Sequence, residues 1–243
     1  MTRPRPATER LLNPAELGRR VTVLSPHLDD GVFSLGATIA RAARGRARVE
    51  VLTVFAGDPE SSRPAGDWDR RAGFTTEGEA AAARRREDRR ACSLLSATPV
   101  WQTFPDEQYS DERDDALLAG ALEEALWGTE TVLVPAFPLT HADHLHLAEV
   151  VLGAGLFAGR IALYVEQPYA LWDEAPRLPD RLREIVPESV SWRPVHVGYR
   201  DLGLKLLACR AYATQLALIP HRIVWPMSRY EKARDVLALL ERA

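Results

Sequence analysis

The chain has 243 residues, enough for one large α/β domain or two small ones, and its content of 46% hydrophobic and 27% charged residues is typical of a globular protein. A formal net charge of -3 and a sequence pI near 6.1 argue against a nucleic-acid partner. No stretch reaches the roughly 18 uninterrupted apolar residues of a membrane span, and the N-terminus lacks the apolar core of a signal peptide, so we expect a cytoplasmic protein.

Strands and helices alternate along the predicted chain. Residues 1–20 are predicted to form a flexible arm, and residues 21–243 a single domain. Short apolar or β-branched runs predict strands at 21–24, 48–55, 99–104, 131–137, 161–165 and 191–197. Apolar stripes at helical spacing predict helices at 31–43, 76–96, 114–127, 143–158, 201–219 and 229–241.

Two segments rich in proline, charge or glycine, residues 57–73 and 172–191, interrupt this alternation and are predicted to be loops. Alternating strands and helices predict a Rossmann-like α/β fold, in which a mostly parallel sheet carries helices on both faces. Ligands of such sheets bind beyond the carboxyl ends of the strands. No G-x-G-x-x-G motif follows the first strand, which argues against a dinucleotide cofactor. Cys92 and Cys209 are predicted to be free thiols.

Histidines and carboxylates follow two of the predicted strands. The first strand ends in Ser-Pro-His-Leu-Asp-Asp, which supplies His27, Asp29 and Asp30. The strand at 131–137 is followed by His-Ala-Asp-His, which supplies His141 and His144. Because parallel strands end at one edge of the sheet, we expect these side chains to meet there, and imidazole with carboxylate is a suitable donor set for catalytic Zn²⁺.

Each of these residues has a simpler interpretation when taken alone. Asp29 or Asp30 could cap the following helix, His27 could be a polar strand end, and His141 with His144 could form a solvated helical turn. The occurrence of both clusters at equivalent strand ends favours the site. The other histidines have no matching partner in the sequence and are not assigned to the site: His146, His196 and His221.

The paired motifs PHLDD and HADH resemble those of the PIG-L (LmbE-like) family of zinc-dependent N-acyl deacetylases, over about residues 21–166. The resemblance implies that His27, Asp30 and His144 bind zinc. It implies that Asp29 is the general base on the zinc-bound water. His141 would stabilise the oxyanion or protonate the leaving amine.

Leu28 and Gly31 replace the proline and glutamate usual in the family motif, and Gly31 is expected to open space or loosen the helix start. On the helix at 76–96, Arg84 and Glu87 share the predicted buried stripe, so they either pair with each other or serve the site. The resemblance, with its R-x-x-E, favours Arg84 as a substrate contact, and it matches Asp106 to an acid that holds sugar hydroxyls.

The sequence therefore predicts a zinc-dependent hydrolase that removes an N-acyl group, most simply acetyl, from a small-molecule amino sugar or related glycoconjugate. One alternative is an amidase that cleaves a larger amide, such as a thiol-sugar conjugate. Another is a non-catalytic sugar-binding module on the same fold. Analysis of the bound metal and mass spectrometry of the products would separate these hypotheses. The oligomeric state, a homo-oligomer included, is left open.

Overall fold

The computed structural model describes residues 11–110, 112–171, 176–186, 190–219 and 235–240. Within them, seven strands form one sheet in the spatial order β3-β2-β1-β4-β5-β7-β6. The strands are β1 (Arg20–Ser25), β2 (Arg48–Thr53), β3 (Thr98–Trp101), β4 (Thr131–Phe137), β5 (Arg160–Val165), β6 (Arg193–Pro194) and β7 (Val236–Leu239). The first five strands are parallel, and β7 runs antiparallel to β5 and β6, so the predicted mostly parallel sheet is confirmed.

Helices cover both faces of the sheet, as predicted. They are α1 (Asp30–Arg44), α2 (Asp67–Arg71), α3 (Glu77–Leu95), α4 (Asp115–Ala125), α5 (Ala142–Gly153), α6 (Asp180–Ile185), α7 (Tyr199–Cys209) and α8 (Ala213–Leu216). Helices α1, α3 and α7 contribute to one apolar core, and α4, α5 and α6 to the core on the opposite face. Burial from both sides explains why all seven residues of β4 are buried.

The strand order places β1 beside β4, where the direction of the chain connections reverses. Val21 of β1 pairs with Thr131 of β4, and Val23 pairs with Leu133. In open α/β sheets the crevice at such a switch point is the usual place for a ligand. Both histidine motifs follow these two central strands, so the fold delivers them to the same crevice.

The structure corrects the prediction for the C-terminal segment. A helix was expected over residues 229–241, but Val236–Leu239 form a strand that pairs with β5, while residues 220–234 and 241–243 lie outside the described residues. A four-residue apolar run does not distinguish a strand from a helix by periodicity alone. The unpaired edge of β5, which only the folded sheet creates, decides between them.

Other predicted boundaries also shift. The loop at 57–73 contains α2, and the loop at 172–191 contains α6. The helix predicted at 201–219 begins at Tyr199 and is divided into α7 and α8. The strand predicted at 191–197 is reduced to two residues at the edge of the sheet, Arg193–Pro194.

The described part of the N-terminal arm is packed against the domain. Leu12 and Leu17 are fully buried, and Leu12 bridges to Val195. A short 3-10 helix, Pro14–Leu17, is closed by a capping box between Asn13 and Glu16. Residues 11–19 therefore do not form the flexible arm that the sequence suggested.

The structure also shows the state of the two cysteines and the character of the described helices. Cys92 and Cys209 are free and buried, as predicted. Among the described residues, no helix combines the length and apolar character needed to cross a bilayer.

Candidate metal centre and its cavity

The turn between β1 and α1 is held by hydrogen bonds from Ser25. Its hydroxyl donates to the carbonyl oxygen of His27 at 2.6 Å and accepts the amide proton of Gly31 at 2.8 Å. A Cβ atom at Gly31 would lie only 3.2 Å from the Cβ and Oγ of Ser25 and from Val23. Gly31 thus permits a close approach of α1 to β1, which corrects the expectation that it opens space or loosens the helix.

Asp29 occupies an unusual backbone position in this turn. Its φ is 152°, a value that non-glycine residues rarely adopt and that is typical of strained functional positions. Its side chain makes no capping hydrogen bond to α1 and lines the cavity described below. The helix-cap interpretation of Asp29 is therefore wrong.

Three side chains from the two motifs converge on one point. Asp30 Oδ2 lies 3.3 Å from His27 Nδ1 and 3.1 Å from His144 Nε2, and the two nitrogens are 3.1 Å apart. Donors bound tetrahedrally to one ion at about 2.0–2.1 Å are separated by about 3.3–3.4 Å. Two imidazole nitrogens and a carboxylate oxygen at this spacing fit a single metal ion with one position left for another ligand.

Each histidine of this donor set is oriented by a buried carboxylate at its other nitrogen. Asp143 Oδ2 lies 2.9 Å from His27 Nε2, and Glu166 Oε1 lies 2.5 Å from His144 Nδ1. Both acids are fully buried. Such partners fix the tautomer and the direction of a metal-binding ring.

Sequence reasoning assigned no role to either of these two carboxylates. Asp143 stands inside the second motif, and Glu166 follows β5, the neighbour of β4. Their places at the same sheet edge were the signal that could have found them.

The charges in this cluster shift the pKa values of its members. Burial alone would lower the pKa of His144, but the negative charges of Asp30 and Glu166 outweigh it and raise the pKa to about 10. Burial likewise opposes the effect of Asp106, Asp143 and Asp30 on His27, whose pKa is nevertheless raised well above its usual value. The neighbouring acids thus favour protonated imidazoles, whose protons a metal ion would have to displace.

The two adjacent aspartates respond in opposite directions. Burial would raise the pKa of Asp30, but the neighbouring His144 and His27 lower it. Burial and then the negative charge of Asp30 raise the pKa of Asp29 well above its usual value. Asp30 is thus held ionised, while Asp29 is the one that accepts a proton more readily.

His141 lies beside the donor set. Its ring centroid is 5.0 Å from that of His144 and 5.4 Å from that of Tyr169. Its Nδ1 faces Oε1 of Glu107 at 3.2 Å. Sequence reasoning missed Glu107, although it directly follows Asp106.

Arg84 is buried at the cavity wall, where it forms an ion pair with Asp69 of α2. Glu87 instead accepts hydrogen bonds from the amide and hydroxyl of Thr214. The alternative of an Arg84–Glu87 pair is therefore wrong. The sequence could not reveal Asp69 as the partner, because the segment that carries it was expected to be a loop.

Asp106 lies close to the donor set as well. Its Oδ2 is 3.9 Å from His27 Nε2, and its Oδ1 accepts the amide proton of Gln108 at 2.9 Å. It lines the same cavity as Arg84. The structure thus brings the two predicted substrate contacts to the same space as the metal centre.

The cavity above the donor set has a volume of about 340 Å³. Apolar and aromatic side chains form much of its wall: Leu28, Phe33, Phe55, Trp68, Tyr109, Pro168, Tyr169 and Ile219. The site residues predicted from the sequence that line it are His27, Asp29, Asp30, Arg84, Asp106 and His141. Residues 57, 68 and 69 of the predicted loop at 57–73 border it, whereas none of the described residues in 172–191 does.

Two sequence comparisons match this chain to proteins described as deacetylases. A family profile described as PIG-L: GlcNAc-PI de-N-acetylase matches residues 22–154. The 2'-N-acetylparomamine deacetylase of Streptomyces fradiae is 32% identical over an alignment of 182 residues that covers 68% of this chain. The match covers 63% of that relative's length, less than two thirds of it.

Solved structures share the fold. The A40926 pseudoaglycone deacetylase Dbv21 is similar with a TM-score of 0.76 at 25% identity, over 92% of this chain and 98% of that chain. The zinc-inhibited form of teicoplanin deacetylase Orf2 has a TM-score of 0.74 at 22% identity, with the same coverage of 92% and 98%. At that identity the second likeness concerns the fold alone.

Proposed function

Because the chain belongs to the PIG-L family, we propose that it is a zinc-dependent hydrolase that removes an N-acyl group, most simply acetyl, from an amino sugar or related glycoconjugate. The observation that carries the proposal is the donor set of His27, Asp30 and His144, which opens into a cavity that also holds a carboxylate and an imidazole outside the set. The similar proteins named above are deacetylases, one of them acting on an acetylated paromamine.

His27, Asp30 and His144 would hold the metal. Two imidazole nitrogens and one carboxylate with an open position are a donor set used by catalytic zinc. A zinc ion bound there would supply a Lewis acid, which lowers the pKa of water and polarises an acyl carbonyl.

Asp29 and His141 would move the protons of the reaction. Asp29 takes a proton from the attacking water, whose oxygen then forms a bond with the acyl carbon. A raised pKa suits this role, because a base is most effective when its pKa is close to the working pH. His141 stabilises the oxyanion or donates a proton to the amine nitrogen as the carbon–nitrogen bond breaks.

Arg84 and Asp106 would contact the hydroxyl groups of the sugar. The cavity volume of about 340 Å³ lies at the lower end of the range of about 300–1,000 Å³ that ligand pockets span. This volume favours a small acyl group on a compact sugar over the larger amide of the amidase hypothesis.

The test is an activity screen of the zinc-loaded protein against N-acetylated amino sugars, with the free amine and the released acid identified by mass spectrometry. We expect acetate and the amine in equal amounts, and no product from protein stripped of metal by a chelator. Release of a larger acid from acylated thiol sugars, but not of acetate, would replace the deacetylase with the amidase. A protein that binds zinc in stoichiometric amount and hydrolyses no member of the panel would contradict both.

A further inference from the structure

The carboxylate beside His141 comes from Glu107, in the loop that follows β3. We propose that Glu107 is the positioning residue of His141, whereas Asp143, the acid between the two histidines of the second motif, serves the metal ligand His27. The proposal rests on the proposed deacetylase function, in which His141 acts on the substrate.

Glu107 binds two consecutive residues at the start of α5. Its Oε1 lies 3.2 Å from His141 Nδ1, and its Oε2 accepts the amide proton of Ala142 at 3.1 Å. With both oxygens engaged, the carboxylate is itself held in one orientation. It therefore ties the His141 ring to the backbone of the same helix.

Asp143 is committed to other groups. Its Oδ2 lies 2.9 Å from His27 Nε2 and accepts the amide proton of Glu107 at 2.9 Å, and its Oδ1 lies 2.6 Å from Arg113. None of these contacts involves His141. The bond from Glu107 to Asp143 uses the backbone amide, so a change of the Glu107 side chain leaves this bond available.

The contact at Nδ1 determines which nitrogen of His141 is available to the substrate. A carboxylate at Nδ1 holds a proton there and leaves Nε2 as the nitrogen that acts in the cavity. The ring is 40% exposed as a side chain, so packing alone constrains it less than it constrains the fully buried His144. Loss of Glu107 would therefore allow the His141 ring, which acts during turnover, to adopt other orientations.

The experiment is a double-mutant cycle with the zinc-loaded protein, using Glu107→Ala, His141→Ala and the variant that combines them. We expect Glu107→Ala to lower kcat by about 10- to 100-fold, less than the about 10²- to 10⁴-fold that a proton-transfer group contributes, because His141 itself is still present. KM and bound zinc should stay close to wild type. In the His141→Ala background, Glu107→Ala should lower kcat by less than about twofold, because the ring that Glu107 positions is absent.

Glu107 also binds the first amide of α5, so its loss could act by destabilising the helix. In that case Glu107→Ala would lower kcat by the same factor in both backgrounds, and the proposal would be overturned. Should Glu107→Ala fail to fold, Glu107→Gln takes its place in the cycle. Its amide oxygen can accept only one of the two bonds, so we expect a smaller loss of kcat that again disappears in the His141→Ala background.

Glu112 provides a matched control, since it is an exposed acid of the same loop and does not line the cavity. Glu112→Ala should retain wild-type kcat. A Glu107→Ala variant that is equally active would contradict the positioning role while leaving the proposed function intact. A wild-type protein that binds zinc and hydrolyses no substrate of the screen would instead contradict the proposed function.

Discussion

Asp29 and Asp30 are neighbours in the chain, yet their surroundings assign them different tasks. The carboxylate of Asp30 lies against the two histidine nitrogens, whereas Asp29 lines the cavity without belonging to this donor set. We predict that Asp30→Ala loses zinc and activity together. Asp29→Asn should retain zinc and lose about 10²- to 10⁴-fold in kcat, because only the proton acceptor is removed.

Zinc content by mass spectrometry and single-turnover rates on the same samples would check this pair of variants. Near wild-type turnover by zinc-loaded Asp29→Asn would assign the proton acceptor elsewhere, with His141 the first alternative.

The pKa of His144, raised to about 10, predicts how zinc binding depends on pH. A free imidazole has a pKa of about 6.5, so the affinity of an unperturbed site would level off above pH 7. Here zinc must displace a proton from His144, and the apparent affinity should keep rising between pH 6.5 and about 10. The apparent zinc affinity can be measured by competition with a chelator at pH 6.5, 7.5 and 8.5. The protons released on zinc binding can be measured in weak buffer.

Glu166→Gln is the companion variant, since it removes one of the two charges that raise the pKa of His144. The zinc affinity of this variant should then reach its plateau at a lower pH. The affinity at the plateau should be about 10- to 100-fold weaker than that of the wild type. A zinc affinity of the wild type that stays flat above pH 7 would show that His144 does not hold the proton.

At the residue scale, the sequence could predict the position of residues that directly follow a strand. The convergence of His27, Asp30 and His144 could be predicted because parallel strands end at one edge, and a motif directly after each strand must lie there. The choice of these three residues as the donor set came from the family resemblance. Asp69 could not be found in this way, because it lies on a short helix that only tertiary packing brings to the site. Glu107 follows the parallel strand β3 directly after Asp106, so its place near the same edge was a signal that the sequence offered.

At the element scale, the buried ion pair of Arg84 and Asp69 joins helices α2 and α3. We predict that Arg84→Ala lowers the free energy of unfolding by about 3–5 kcal/mol, since Asp69 is left buried and without its counter-charge. Chemical denaturation measures this loss. Glu87→Ala is the control on the same helix: its partner is Thr214, so the Arg84 pair should be unaffected.

A substrate contact by Arg84 is separated from stability by the double variant Arg84→Met with Asp69→Asn, which removes both charges. If the guanidinium binds a sugar hydroxyl, this variant should still show KM raised by about 10-fold or more, the equivalent of one hydrogen bond to a charged group. An unchanged KM would leave Arg84 with a structural role only.

At the element scale, periodicity predicted the long elements well. Helix α3 has its capping box at Thr76 and Glu79, and β4 has the bounds expected from its apolar run. The buried face of α3 was predicted less well, since Glu87 of the predicted stripe is only half-buried while Asp88 is buried. Asp88 accepts hydrogen bonds from Tyr212 and Trp101, two partners distant in sequence that make its burial tolerable.

At the scale of the whole molecule, a buried ion pair fastens the C-terminal strand β7 to the rest of the fold. Asp235 directly precedes β7, and its Oδ1 lies 2.5 Å from Lys205 Nζ. Its Oδ2 accepts hydrogen bonds from the amide and hydroxyl of Thr38 on α1, at 2.6 and 2.8 Å. One carboxylate therefore connects α1, α7 and the last strand.

We predict that Asp235→Ala lowers the free energy of unfolding by about 3–5 kcal/mol, since it leaves the Lys205 ammonium buried without a counter-charge and with only the carbonyl oxygen of Ser34 as acceptor. Asp180→Ala breaks an exposed pair with Arg183, and a surface pair contributes only about 0–1 kcal/mol. The midpoint of chemical denaturation should therefore be lowered much more by Asp235→Ala than by Asp180→Ala. Equal midpoints for the two would mean that the buried pair does not anchor β7.

The candidate metal centre draws its donors from two stretches of chain, with His27 and His144 117 residues apart. A break between β3 and α4 would leave His27 and Asp30 on one fragment and His144 on the other. Neither fragment alone could hold the ion, and β1 and β4 would have to pair across the break to rebuild the crevice. In such a split protein, the proposed hydrolysis should therefore return only when both fragments and zinc are present together.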